Sequence, residues 1–176
     1  MSLVYALTLA IIVYITLMHF MMHQGLNPTF ALLIAFGINI FVIFMYGTYR
    51  CHHPNTKDSL EVQLLHNAEW FDGWSFSHLF VYFLIGTFPF ESPWYLLIPF
   101  AFGVLWEVIE WFAGNPDFSF GNSIWENESR IGWMVGGNCQ MSTDKDDGKW
   151  WYGKWTDVLM NGTGLLLGYG LKTAIG

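Results

Sequence analysis

Apolar residues run with little interruption from Leu3 to Met22, from Phe30 to Tyr49, from Trp94 to Phe112 and from Val158 to Ile175, with a shorter run from Phe76 to Phe88. A hydrocarbon core about 30 Å thick is crossed by about 20 residues rising 1.5 Å each. The pattern therefore predicts five membrane-spanning helices, the third short or tilted. Backbone groups in lipid must be satisfied internally, so runs of this kind are expected as helices. Polar punctuation separates them: Gln24-Gly25-Leu26-Asn27-Pro28 reads as a turn, and Pro89 and Pro93 bracket the far end of the third run. The first run lacks the basic leader and small-residue cleavage site of a signal peptide. The expected fold is all-α, a polytopic transmembrane helix bundle forming a single domain over 1–176. Two spans occupy 1–50, and a three-span core occupies 66–170. The 114–155 segment before the last span is long and rich in Gly and Trp, which suits a lid better than a linker.

Composition sharpens this reading. Hydrophobic residues make up 53% of the 176 and charged residues 12%, where soluble domains carry about 25% charged residues. The net charge of −7 is concentrated in two stretches, and no arginine-rich patch suggests a nucleic-acid partner. With five spans, Arg50, Lys57, Arg130, Lys145, Lys149 and Lys154 fall on one face and Lys172 on the other. The positive-inside rule makes the first face cytoplasmic, although the same loops also hold most of the acids. The sequon Asn127-Glu128-Ser129 on that face would then be silent. Cys51 and Cys139 are far apart and outside the apolar runs, so they read as unpaired loop thiols; they could pair only if that face were luminal or periplasmic.

Ionisable groups within membrane segments cost several kcal/mol and mark functional sites by default. His78, beside Ser75 and Ser77, opens the third span; Glu107 and Glu110 close the fourth; Asp157 and Asn161 open the fifth. Asp72 lies six residues before His78. Because the spans alternate in direction, His78, Glu107, Glu110, Asp157 and Asn161 fall at one depth beneath one membrane face. Glu107 and Glu110 are i and i+3, and Asp157 and Asn161 are i and i+4, so each pair shares a helical face. Carboxylates at close range repel unless a cation or proton sits between them, and hard oxygen donors favour calcium, magnesium or manganese. An imidazole nearby can move a proton. Glu107, Glu110, Asp157 and Asn161 are thus the expected divalent-cation ligands, His78 the catalytic group, and Asp72, Ser75 and Ser77 the substrate-binding residues. The plainer alternatives are a helix-end histidine bonded to a carbonyl, glutamates snorkelling to water and a helix N-terminal acid at Asp157. His19 and His23, spaced i and i+4, lie near the opposite face, and Cys51-His52-His53 reads as an interfacial cluster. Gly162, Gly164, Gly168 and Gly170 permit close helix packing.

Three motifs in order carry a family resemblance: Phe71-Asp72-Gly73-Trp74-Ser75-Phe76-Ser77-His78, then Trp106-Glu107-Val108-Ile109-Glu110, then Asn161-Gly162-Thr163-Gly164. Together they resemble the eukaryotic base-exchange phosphatidylserine synthases over about residues 66 to 170. The resemblance implies calcium-dependent exchange of a phospholipid headgroup for serine, with His78 as the catalytic histidine and Glu107 and Glu110 as metal ligands. Asp157 lies four residues before Asn161, where that family places its aspartate five before. The order Ser77-His78, Glu107-x-x-Glu110 and Asp157-x3-Asn161-x2-Gly164 is also similar to VanZ-like bacterial membrane proteins, without that slip.

Two readings follow from the sequence. The first is a metal-dependent transferase acting on a phospholipid with serine or a small amino alcohol. The second is a non-catalytic VanZ-like module or accessory subunit of a larger membrane complex. An ion or proton pathway is disfavoured because the acids keep to one face.

Overall fold

The computed structural model describes residues 3–52, 60, 62–65, 71–114 and 153–175, and among them the chain is all-helical. The helices are α1 (Leu3–His23), α2 (Pro28–His52), α3 (Gly73–Gly86), α4 (Leu97–Gly114, entered through the 3-10 turn Pro93–Leu96) and α5 (Trp155–Ile175). Residues 115–152 of the expected 114–155 lid, the sequon Asn127-Glu128-Ser129, Cys139 and the side chain of Cys51 lie outside the described residues. So do Lys57, Arg130, Lys145 and Lys149, and with them most of the charge asymmetry used to orient the chain.

Local chemistry explains the helix ends. Gly25 adopts φ 98°, and the Leu26 and Gly25 N–H groups donate to the Met21 and Met22 carbonyls, closing α1 with a Schellman turn. Asn27 Oδ1 then accepts from the N–H groups of Thr29 (2.9 Å) and Phe30 (3.3 Å), and Pro28 takes the first helical position, where its missing N–H costs nothing. Asp72 caps α3 by accepting from Ser75 N–H at 2.9 Å. The chain before that cap is held by the Gln63–Asp72 antiparallel bridge and by the Trp74 N–H donating to the Leu60 carbonyl. A Cβ on Gly73 would lie 2.8 Å from that same carbonyl oxygen, so the approach requires glycine.

Helices α3 and α5 run parallel and form the tightest pair, backbone against backbone. A Cβ on Gly164 would strike the Leu79 carbonyl, one on Gly168 the Phe83 carbonyl, and one on Gly86 the Leu165 carbonyl at 2.5 Å. Small residues at i and i+4 on α5 thus admit the facing helix to its own surface. Helix α4 returns antiparallel to both, with Gly103 facing Asn161 and Tyr82. The α1–α2 hairpin packs on this trio through a core that includes Ile15, Met18, Leu32, Ile85, Phe88 and Leu165. It is pinned at the far end, where His19 Nε2 lies 3.0 Å from the Thr87 carbonyl and edge-on to Phe88. At that end Lys172 also donates to the Phe90 carbonyl at 2.6 Å.

Among the described residues, one helical stretch, Pro93–Trp111, is long and apolar enough to cross a membrane, and Ile11–His23, Pro28–Ile43 and Gly73–Gly86 are shorter apolar stretches. Large apolar side chains nevertheless point outward from the bundle. Leu9, Val13, Leu17 and Phe20 form an exposed stripe on α1; Phe41 and Met45 on α2, Leu105 and Ile109 on α4, and Leu166 and Leu167 on α5 are likewise exposed.

Candidate functional site

Parallel α3 and α5, with antiparallel α4 packed beside α5, bring one end of each helix to the same level. Ligand atoms of His78 (α3), Glu107 (α4) and Asp157 (α5) all lie within 4.8 Å of one another. His78 Nδ1 stands 3.8 Å from Glu107 Oε1 and 2.9 Å from Asn161 Oδ1. An amide oxygen only accepts, so Nδ1 donates in this contact, and in the neutral ring Nε2 then keeps its lone pair. Among the described residues, Nε2 has no hydrogen-bond partner.

Each acid is held from one side. Asp157 Oδ1 accepts from Ser75 Oγ at 2.7 Å, in the first turn of α5 where the helix dipole favours a negative charge. Glu107 Oε2 accepts from the Lys154 N–H at 2.9 Å. That contact depends on Gly153, whose Cβ, if present, would strike the Glu107 carbonyl oxygen. The Lys154 ammonium meanwhile reaches Asp72 Oδ2 at 2.6 Å. Lys154 therefore ties the start of α5 to both the cap of α3 and the acid of α4.

The other Glu107 oxygen is different. Oε1 is buried and, among the described residues, has no hydrogen-bond partner; the same holds for Asn161 Nδ2 and Thr156 Oγ1 beside the two acids. Glu107 is 5% exposed, so this orphaned acceptor cannot rely on bulk water. A cation between Glu107 and Asp157 would satisfy it, and the donors on offer are the two carboxylates, His78 Nδ1 being committed to Asn161. The residues present therefore fit a divalent ion of the calcium, magnesium or manganese type.

The other sequence-derived site residues take distinct places. Glu110 does not join the cluster: its Oε1 accepts from Trp106 Nε1 at 2.7 Å along its own helix. Asn161 joins through His78. Asp72 serves as helix cap and Lys154 partner, and Ser75 orients Asp157. Ser77 donates to the Trp74 carbonyl at 2.7 Å and faces away, into an apolar cleft of about 290 Å³ between α1, α2, α3 and α4. His78 lines that same cleft, so its ring separates a polar cluster from an apolar slot. Sequence reasoning missed Lys154, which it used only as a loop charge, and Gly103, where a Cβ would lie 2.6 Å from both Asn161 Nδ2 and the Tyr82 hydroxyl. Neither carries a local signal, since each matters only through residues distant in the chain.

Compared with known proteins, the chain matches no family model, no curated protein and no solved structure.

Proposed function

We propose that this chain is a multi-pass integral membrane enzyme that exchanges phospholipid headgroups, with a divalent cation, calcium first among the candidates, held by Glu107 and Asp157. The observation that carries the reading is the convergence of His78, Glu107 and Asp157 within 4.8 Å, from three helices, around a buried carboxylate oxygen with no described protein partner. Membrane immersion rests on the apolar runs and on the outward-facing stripe Leu9, Val13, Leu17 and Phe20 together with Leu166 and Leu167; contiguous apolar surface of this kind is not left in water. All five helices then cross the bilayer, and the site lies at its cytoplasmic face, as the basic residues in the flanking segments favour.

Held by Glu107 and Asp157, a divalent cation would neutralise the phosphodiester and make its phosphorus easier to attack. The chain's own residues supply position and proton transfer. Asn161 fixes the His78 ring, with Nδ1 as donor, and leaves Nε2 free to accept the proton of an attacking hydroxyl, that of serine or another small amino alcohol. A new P–O bond forms to that oxygen, the P–O bond to the resident headgroup breaks, and the same nitrogen returns the proton to the departing alcohol. Proton count and charge are unchanged across the exchange. Ser75 and Lys154 keep Asp157 and Glu107 from swinging apart.

The hydrogen bonds from Ser75 and Lys154 also suit a second reading, a non-catalytic VanZ-like module that uses the cluster for packing or assembly. The two readings part in one experiment. Purified protein in phosphatidylcholine or phosphatidylethanolamine vesicles is given labelled serine and calcium, with a chelator control. Exchange that needs calcium and is lost in His78→Ala is expected. Full activity in His78→Ala would refute the mechanism, and no exchange with any divalent ion would favour the packing role.

A further inference from the structure

We infer that the cleft on the far side of His78 is an acyl-chain slot, built by the α1–α2 hairpin and closed at its base by the Phe36–Phe102 stack. This rests on the headgroup-exchange reading for the identity of the headgroup, and on the geometry of the cleft for the chain. The walls are apolar: Phe36, Ile40 and Ile43 from α2, Val81 from α3, Phe102 and Leu105 from α4. Of the wall residues on α2 that can hydrogen-bond, Tyr46 stands at the upper end and Asn39 spends its amide on the Ala35 carbonyl at 2.8 Å. A cavity with so little polar lining is not made for serine or a phosphate.

Length and position select the occupant. From Tyr46 to Phe36 the cleft follows ten residues of α2, about 15 Å at helical rise, which is about half of a 30 Å hydrocarbon core and so the depth of one leaflet. Its upper end adjoins the polar cluster through His78. At its lower end the Phe36 and Phe102 rings stack with centroids 4.5 Å apart and planes 25° from parallel. The rim residues Ile40 and Leu105 are themselves exposed, at 38% and 53%, so a chain can enter sideways between α2 and α4. An amphiphile with its headgroup at the cluster and one hydrocarbon tail of single-leaflet length satisfies every one of these features. The slot also gives the α1–α2 hairpin a role that the motif-bearing helices leave open: it forms the wall that α3 and α4 lack.

A blind-ended slot measures chain length. Each methylene that fits within it gains packing contacts with the walls, and a methylene beyond the floor gains none. The test is native mass spectrometry of the purified protein in detergent, exposed to an equimolar mixture of saturated phosphatidylcholines of even chain length, without serine or added cation. Wild-type protein is expected to retain lipid with a chain-length optimum. Phe36→Ala should move that optimum to longer chains by two or more carbons, and Ile43→Trp, which fills the middle of the slot, should cut retention about tenfold or more. Melting curves of both variants confirm folding, and the wild-type length profile decides the matter even if one variant fails to fold. Retention blind to chain length, or an unmoved optimum in folded Phe36→Ala, overturns the slot, as does a lipid-free dimer with one copy seated in the cleft. Length-selective retention without any headgroup exchange sinks the exchange reading and leaves the slot standing. Exchange with length-blind retention does the reverse.

Discussion

Two alanine substitutions two residues apart on α5, Gly168→Ala and Gly170→Ala, should act in opposite directions, and the reason lies in the packing of α5 on α3. A Cβ at Gly170 meets nothing within 4 Å. There the substitution only removes backbone freedom from the unfolded chain and raises helix propensity, a gain of about 0.5–1 kcal/mol. A Cβ at Gly168 would lie 3.0 Å from Gly86 Cα and Phe83 C and closer still to the Phe83 carbonyl oxygen. Carbon atoms rest about 3.5–4.0 Å apart, and the obstacle is backbone, which cannot rotate away. The helices must separate by roughly 0.5–1 Å to restore that spacing. Overpacking of this kind costs about 1–3 kcal/mol, which exceeds the propensity gain. The separation is also felt at the site. Asn161 lies seven residues, about 10 Å, up the same helix, and its 2.9 Å contact with His78 crosses the same α3–α5 interface. A misplacement of that order can lower turnover about 100-fold. Thermal unfolding in detergent, followed by tryptophan fluorescence, reads the stability arm; serine exchange in vesicles reads the other. Equal effects of the two substitutions on stability would refute the backbone-contact account of this helix pair.

Further outcomes follow from single contacts. Asp72→Ala removes the cap on Ser75 N–H and the partner of Lys154, and should destabilise by about 1–2 kcal/mol; Asp72→Asn keeps the cap and should cost about 1 kcal/mol or less, as measured by the same melting experiment. Asn161→Leu preserves bulk but leaves His78 Nδ1 without its acceptor, and should lower exchange about 10²- to 10⁴-fold with lipid retention intact. Gly153→Ala should weaken cation affinity, read by titration calorimetry, because its Cβ would displace the segment whose Lys154 N–H holds Glu107; unchanged affinity would remove Lys154 from the site.

The helices were legible because their limits are local. The Asn27-Pro28 start and the Gly25 stop are chemical signals within one turn of chain, and the apolar runs mark what lies between them. Alternating direction was enough to place His78, Glu107, Asp157 and Asn161 at a common level. The roles within that level were not legible. Glu107 and Glu110 look equivalent by spacing, yet Trp106, one turn before Glu110, takes its carboxylate while Glu107 turns to the cluster. Nothing in periodicity decides which of two neighbouring faces meets another helix. Ser75 and Ser77 were likewise grouped, although two residues along a helix rotate the second away from Asp157 and toward the Trp74 carbonyl. The cap at Asp72 could have been read from an acidic residue just before an apolar helical run. Lys154 and Gly103 could not, because their effects arise from approach between different helices and the segments that lead into them.

Ion binding by the paired acids of α4 and α5 is the property on which headgroup exchange at this site depends. Mn²⁺ is a spectroscopic probe suited to carboxylate donors, and its paramagnetic resonance signal in purified, chelator-washed protein reports binding without any need for turnover. A single saturable site is expected, abolished by Glu107→Gln and by Asp157→Asn and retained in Glu110→Gln, whose carboxylate is engaged by Trp106. Mn²⁺ that binds Glu107→Gln as tightly as the unaltered chain, or does not bind the unaltered chain at all, would contradict it.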